Sequence, residues 1–460
     1  MLSLILISIL LFFAAAALAV CAAKRYELAI ALVLLSPWIS CLSGSGRRPI
    51  GEESLRPDAT SYVRIGVIML MGTAGLLKYL AMRKSPSSVS RRHLHLLGVF
   101  LLYALLSTTY SIDKTYTLAR SFEFLGFFFF LLGLHRWLES RRALETALNI
   151  YFAVCCLGIL LNLFALGFPS DWAWWYVDRS RFQGVLNHPN SLGAFSMVAY
   201  PILAWKCRHT EFPVRFWMYV LFCITALCHV ASGSRGTLVA SFVGLAVWYI
   251  VAGERRRLAV LACALVVGAA VFFWVRPVGL QRDSGNVLDL MGRPSLWHHT
   301  VCLVAERRPL FGFGYGVSGR IWADSQFQSA GRYLWSGSAK ADLHNGYLTV
   351  MAGLGMVGLL MWLCFTVMPL LPVLSMRAGT YKALVLAVAA QAFILNIAET
   401  SITSSRVLPS LVFWFFWLIA GRLPSLLSEQ PCSAAEGCTV ATGTRAFAAA
   451  SPWSGHLCRS

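Results

Sequence analysis

Residues 346–373 read GYLTVMAGLGMVGLLMWLCFTVMPLLPV, with no charged side chain. About 20 apolar residues in helical form span the hydrocarbon core of a bilayer, so this stretch predicts a membrane helix with length to spare. Comparable apolar runs lie at about 2–22, 27–43, 63–82, 94–111, 117–134, 147–168, 190–206, 213–232, 236–252, 257–275, 380–398 and 406–421. The expected fold is all-α, a polytopic transmembrane bundle of about 12–13 helices. Residues 1–423 would form one membrane domain. The remainder, 424–460, is rich in Ala, Ser, Gly and Thr and is expected to be a disordered cytoplasmic tail.

Composition agrees. Of 460 residues, 58% are hydrophobic and 13% charged, against about a quarter charged in soluble domains. The net charge of +19, from 39 Lys+Arg and 20 Asp+Glu, would suggest nucleic acid in a soluble protein. Here basic residues mark cytoplasmic loops instead. Clusters at Lys24-Arg25, Arg83-Lys84 with Arg91-Arg92, Arg136 with Arg141-Arg142, Lys206-Arg208 with Arg215, Arg255-Arg256-Arg257, and Arg377 with Lys382 all fall on one side of a thirteen-helix chain. The first run has no basic segment before it and is followed by Lys24-Arg25, so it is expected to be retained as a helix rather than cleaved as a signal peptide. Its start would then face outward. The thirteen Cys are scattered without a CxxC pair, which argues against a disulfide framework or zinc site.

The opposite, outward side receives 44–62, 112–116, 169–189, 233–235, 276–345 and 399–405. Of these, 276–345 is by far the longest, and loops of such length are uncommon unless functional. Within it, Gly292-Arg293-Pro294-Ser295-Leu296-Trp297 opens an expected short amphipathic helix ending near Pro309. The stretch Pro309-Leu310-Phe311-Gly312-Phe313-Gly314-Tyr315-Gly316 follows. It lacks the strand–loop–helix context and the Lys-Ser/Thr of a phosphate loop, and reads as a tight turn holding Tyr315. Trp172, Trp174, Trp175, Tyr176, Trp322, Tyr333 and Trp335 decorate the outward loops. They suit either interfacial anchoring or stacking on sugar rings.

Three polar positions on this side could carry chemistry. Arg181, in Arg181-Phe182-Gln183-Gly184 before Asn187-His188-Pro189-Asn190, fits either a snorkelling interfacial arginine or a ligand contact, with Asn190 a candidate N-cap for the helix that follows. Arg235, in a very short hairpin at Ser234-Arg235-Gly236, offers a planar fork suited to phosphate oxygens, or again a lipid phosphate. His344 closes the long loop in His344-Asn345-Gly346-Tyr347-Leu348. A lone histidine is more often structural, yet this one stands at the outer mouth of the bundle, where it could take a proton from a hydroxyl. Arginines beside a pyrophosphate would favour its departure. Glu399, near Asn396 and Gln391, and more weakly Glu123, invite an arginine partner or an acceptor hydroxyl. No Asp-x-Asp pair in the outward loops suggests a metal-held diphosphate.

These motifs, in this order over residues 180–400, resemble the O-antigen ligase and polysaccharide polymerase (Wzy-type) superfamily of membrane glycosyltransferases. The resemblance implies a multi-pass protein of the bacterial inner membrane with its active site and large loop, 276–345, facing the periplasm. It implies a metal-independent inverting enzyme without cofactor that transfers a glycan from undecaprenyl pyrophosphate, in lipopolysaccharide or exopolysaccharide biosynthesis. By the same resemblance Arg181 and Arg235 would hold the donor pyrophosphate and His344 would be the catalytic base. Arg293, Tyr315, Asn345 and Glu399 are further candidates for contact with substrate. The acceptor would be lipid A–core in a ligase or a lipid-linked repeat unit in a polymerase. Ser-Arg-Gly and Gly-Arg-x-x-x-Trp read as ligase-like, whereas Asn396–Glu399 with Thr400-Ser401 resembles polymerases. A lipid-linked glycan transporter is the rival from another class. Transporters typically bind substrate at midplane between repeated halves with broken helices, and no internal repeat is visible. Membrane lipid is an expected partner, nucleic acid is not.

Overall fold

The structure, a computed structural model, describes residues 14–43, 59–82, 92–167, 173–174, 181–186, 188–263, 293–323, 343–400, 402 and 407–428. The expected tail from 429 onward, the start of the first run, and loop aromatics such as Trp172, Trp175, Tyr176, Tyr333 and Trp335 lie outside these residues. Every apolar run contains at least part of a helix. In chain order these are α1 (Ala14–Lys24), α2 (Tyr26–Leu35), α3 (Ala59–Ala81), α4 (Arg92–Leu106), α5 (Lys114–Trp137), α6 (Arg141–Gly167), α7 (Pro189–Arg208), α8 (Val214–Ser232) and α9 (Arg235–Val251). A helix α10 is described over 255–263. There follow α11 (Arg293–Arg307), α12 (Gly346–Val367), α13 (Leu370–Ser375), α14 (Thr380–Ala398) and α15 (Leu408–Ser428). The last helix runs past the expected domain end at 423.

The protein is an all-α, multi-pass membrane bundle. Among the described residues seven helices are long and apolar enough to cross a bilayer, with shorter apolar helices beside them. Helix α4 has 15 residues and α9 has 17, which at about 1.5 Å per residue falls short of a full hydrocarbon thickness. The run at 27–43 divides into α2 and a 3-10 turn, Ser36–Ser43. The run at 346–373 divides at Pro369, which caps α13.

Small residues set the closest helix contacts, as expected where lipid gives no hydrophobic drive for association. A Cβ on Gly72 of α3 would lie 2.2 Å from the carbonyl oxygen of Gly126 of α5. One on Gly193 of α7 would lie 2.4 Å from Thr237 Oγ1 of α9. Helix α15 forms the centre, with Phe413, Trp414, Phe415, Phe416 and Trp417 all buried. Helix α14 packs mainly on α9.

Helix α12 is broken near its middle. Gly355 has φ 67 and ψ −166, outside helical geometry. Freed backbone groups at membrane depth must find protein partners, and the loop after α11 supplies them. Phe313 N donates to Ala352 O at 2.9 Å, Gly314 N to Gly353 O at 2.7 Å, and Met356 N donates to Pro309 O at 2.9 Å. The Pro-Leu-Phe-Gly-Phe-Gly-Tyr-Gly stretch is therefore a plug hydrogen-bonded into the break in α12. Its other side is held by the connection between α4 and α5: Arg308 Nη1 donates to Tyr110 O at 2.7 Å, Tyr110 Oη to Phe311 O at 3.0 Å, and Ile112 N to Phe313 O at 3.1 Å. Leu310 and Phe311, at its tip, are exposed.

This plug predicts where the fold is least tolerant. A Cβ on Gly355 would lie 2.2 Å from the backbone of Leu310, and its positive φ disfavours any other residue. Gly355→Ala is expected to destabilise the purified protein by about 3 kcal/mol or more, read as a fall in thermal midpoint. Gly66→Ala, with nothing within 4 Å, should leave the midpoint within a degree or two. Equal midpoints for the two variants would contradict the plug.

Candidate active site

Residues Arg181, Asn190, Arg235, Arg293 and His344 converge on the last turn of α14. His344 lies just before α12 and adopts φ 45, a left-handed conformation rare for residues with a Cβ. Its Nδ1 is 2.9 Å from Glu399 Oε2. Glu399, the C-cap residue of α14, also accepts from Asn190 Nδ2 through Oε1 at 3.1 Å. Asn190 Oδ1 in turn accepts from Arg181 Nη2 at 2.8 Å. A continuous side-chain path thus runs from Arg181 through Asn190 and Glu399 to His344, crossing segments far apart in sequence.

Arg181 is held on its other side by Ser232 O, which accepts from Nε at 2.9 Å, while Phe182 N donates to Ala231 O at 2.9 Å. Those acceptors belong to the end of α8. Gly233 follows in left-handed conformation (φ 62) and lets the chain reverse into α9, whose first residue is Arg235. The two arginines therefore come from adjoining backbone. A Cβ on Gly236 would lie 3.5 Å from Ala398 Cβ, so the start of α9 also abuts the Glu399 turn.

The Gly-Arg-x-x-x-Trp motif has a clear structural task. Arg293 and Trp297 stand one turn apart on α11, and residues spaced i, i+4 share a helix face. Arg293 Nη1 donates to Ala398 O at 2.8 Å, and Nη2 lies 3.6 Å from Glu399 Oε1. Trp297 Nε1 donates to Leu343 O at 2.7 Å. One face of α11 therefore braces both members of the His344–Glu399 pair.

Asn345 caps α12. Its Oδ1 accepts from Leu348 N at 3.0 Å and its Nδ2 donates to Ile397 O at 3.0 Å. Both ends of the amide are engaged by the fold, so Asn345 ties the start of α12 to the end of α14. The N-cap of α7 is His188, whose Nδ1 accepts from Asn190 N at 3.0 Å, not Asn190 as expected. That shift leaves the Asn190 side chain available to bridge Arg181 and Glu399. Tyr315 stands elsewhere, with its ring beside Phe100 and Phe124 and its backbone N donating to Ser107 Oγ at 3.0 Å. Glu123 is buried beside Arg120 at 3.3 Å, and Arg120 also bonds the Tyr116 hydroxyl. These belong with α4 and α5, and none of the contacts just described joins them to His344.

Electrostatically, the first turns of α7, α9, α11 and α12 all meet the Glu399 turn. Helix N-termini carry partial positive charge and unsatisfied N–H groups, which favours anions. With Arg181, Arg235 and Arg293 added, the region suits an anionic ligand. A partly exposed imidazole, His344 at 31% side-chain accessibility, stands at the same place. The arrangement sets three arginines and four helix N-termini beside one imidazole. Among the described residues no group of three or more His, Cys, Asp or Glu is placed to hold a metal ion.

The O-antigen ligase family profile matches residues 220–363. Over that segment the chain is similar to the O-antigen ligase family. The segment spans α8 to most of α12 and contains Arg235, Arg293, Tyr315, His344 and Asn345, while Arg181, Asn190 and Glu399 lie outside it. Over 133 residues, 29% of this chain, the sequence is 28% identical to an O-antigen ligase of Pseudomonas aeruginosa, and it covers 29% of that relative's length.

Proposed function

We propose that the protein is an inner-membrane glycosyltransferase of O-antigen ligase type. It moves a glycan from undecaprenyl pyrophosphate to a sugar hydroxyl of lipid A–core on the periplasmic face. The observation that carries this reading is the path joining Arg181 to His344, because it unites an anion-binding element with a base at one outward site. In the proposed reaction the acceptor hydroxyl gives its proton to His344 while its oxygen attacks the anomeric carbon of the donor. The bond from that carbon to the pyrophosphate oxygen breaks with inversion. Undecaprenyl pyrophosphate leaves with the electron pair, its growing charge met by Arg181 and Arg235. Neither metal nor cofactor is required by this scheme.

The transporter reading is less well supported. Its structural hallmark would be a broken helix offering backbone groups to a substrate. Helix α12 is broken, but its freed groups bond to the chain's own 309–314 segment.

The direct test uses purified full-length protein in proteoliposomes with an undecaprenyl pyrophosphate-linked glycan and lipid A–core. Ligase activity yields glycosylated core. Lengthened lipid-linked glycan without acceptor use would instead mark a polymerase. Donor that crosses the bilayer unchanged would mark a transporter. Sidedness has its own check. Glu306 is exposed on α11, so Glu306→Cys in a background lacking other reactive cysteines should react with a membrane-impermeant thiol reagent from the periplasm. Reaction only from the cytoplasm would defeat the proposed topology.

A further inference from the structure

We infer that Glu399 is a positioning residue that fixes the proton on His344 Nδ1 and ties the base to the arginine of the donor site. It is not a contact for the acceptor. The inference rests on the proposed role of His344 as the base.

The chemistry of the pair sets the tautomer. An ionised carboxylate only accepts hydrogen bonds, so the 2.9 Å contact between Glu399 Oε2 and His344 Nδ1 requires the hydrogen on Nδ1. The neutral ring then has Nε2 as its basic nitrogen, directed away from the carboxylate. As Nε2 takes a proton, the imidazolium forms beside a negative charge, which stabilises it. A carboxylate oriented behind a histidine base serves this purpose in catalytic triads. Glu399 is itself held in place. Asn190 Nδ2 donates to its other oxygen at 3.1 Å, Arg293 Nη2 lies 3.6 Å from that oxygen, and Arg293 is anchored to Ala398 O at 2.8 Å. Thus α7, α11 and α14 all determine where the imidazole points. Asn190 also accepts from Arg181 at 2.8 Å. Movement of that guanidinium onto a pyrophosphate would reach the base through three hydrogen bonds, Arg181–Asn190, Asn190–Glu399 and Glu399–His344. Among the described residues, Glu399 contacts His344 directly, Arg293 and Arg181 reach it through Glu399, and Arg235 stands at the adjoining helix start.

The test compares Glu399→Gln, Glu399→Asp, His344→Ala and the Glu399→Gln/His344→Ala double variant as full-length protein in nanodiscs. Each is assayed for glycan transfer from pH 5 to 9. Glutamine keeps the shape but can present an N–H to Nδ1 and so select the wrong tautomer. The expected result is a fall in kcat of roughly 10²-fold or more, with the KM for donor changed by less than about threefold. Aspartate should restore part of the rate. Removing the negative charge should also lower the pKa of the base, moving the acidic limb of the pH profile to lower pH. A role confined to folding would not move that limb. The double variant should be no slower than His344→Ala, because Glu399 acts through His344. If His344→Ala is inactive while Glu399→Gln matches wild type, the positioning role is wrong and the base assignment stands. If His344→Ala is fully active, the base assignment itself falls. A double variant far slower than His344→Ala would show that Glu399 acts independently and would overturn the inference.

Discussion

His344→Asn is expected to lower kcat for glycan transfer by roughly 10²–10⁴-fold, the usual contribution of a positioned general base, with little change in donor KM. Asparagine is the informative substitution because His344 has φ 45. Asparagine is among the few residues that tolerate left-handed backbone, whereas alanine keeps the strain of about 1–2 kcal/mol that a Cβ brings there and loses the side-chain bond that holds the turn. The Asn amide can still donate toward Glu399, so the turn before α12 should persist. What disappears is a nitrogen able to accept a proton near neutral pH. The measurement is steady-state transfer in proteoliposomes, with the thermal midpoint recorded beside it. An Asn variant with wild-type turnover would mean that position 344 matters for its backbone and not for its imidazole. An inactive Ala variant beside an active Asn variant would say the same more sharply.

Much of the architecture was legible because lipid imposes a single period and length on apolar segments. The hairpin before Arg235, the amphipathic α11 and the tight turn around Tyr315 all followed from composition and glycine placement. The break in α12 did not. Residues 346–373 read as one uninterrupted apolar run, and nothing local in Gly353-Leu354-Gly355 distinguishes a broken helix from a glycine-containing one. The break exists because the 309–314 segment, some 40 residues earlier, supplies its hydrogen bonds, and pairing at that distance leaves no periodic trace. The site shows the same division. Arg181, Arg235 and His344 could be placed on one side by counting helices. That Asn190 links Arg181 to Glu399, and Glu399 to His344, depends on how α7 and α14 pack, and a sequence search for acidic or basic residues passes over a neutral asparagine. Asn190 was visible only as a capping candidate, and that local task turned out to belong to His188.

The two arginines assigned to the donor should respond differently to lysine. Arg181 uses two separate donors in one plane, Nε toward Ser232 O at 2.9 Å and Nη2 toward Asn190 Oδ1 at 2.8 Å. A lysine ammonium is a point charge on a flexible stem and does not reproduce that fork. Arg181→Lys is therefore expected to lose roughly 10²–10³-fold in kcat/KM, the scale of removing a preorganised donor from a developing charge. Part of the loss would arise from the loosened link to Glu399. Arg235 occupies the first position of α9, where a positive charge and the helix N-terminus both favour a phosphate. Arg235→Lys keeps that charge and should retain a tenth or more of wild-type kcat/KM, while Arg235→Ala should fall to the level of Arg181→Lys. Donor titrations at low and high salt separate the two roles. The deficit of Arg235→Ala should lie mainly in donor KM and shrink as salt screens the wild-type attraction. The deficit of Arg181→Lys should persist at both salt levels, because it is one of geometry. Equal tolerance of lysine at both positions would mean that Arg181 contributes only charge. In that case the hydrogen-bonded path from Arg181 to His344 has no part in turnover.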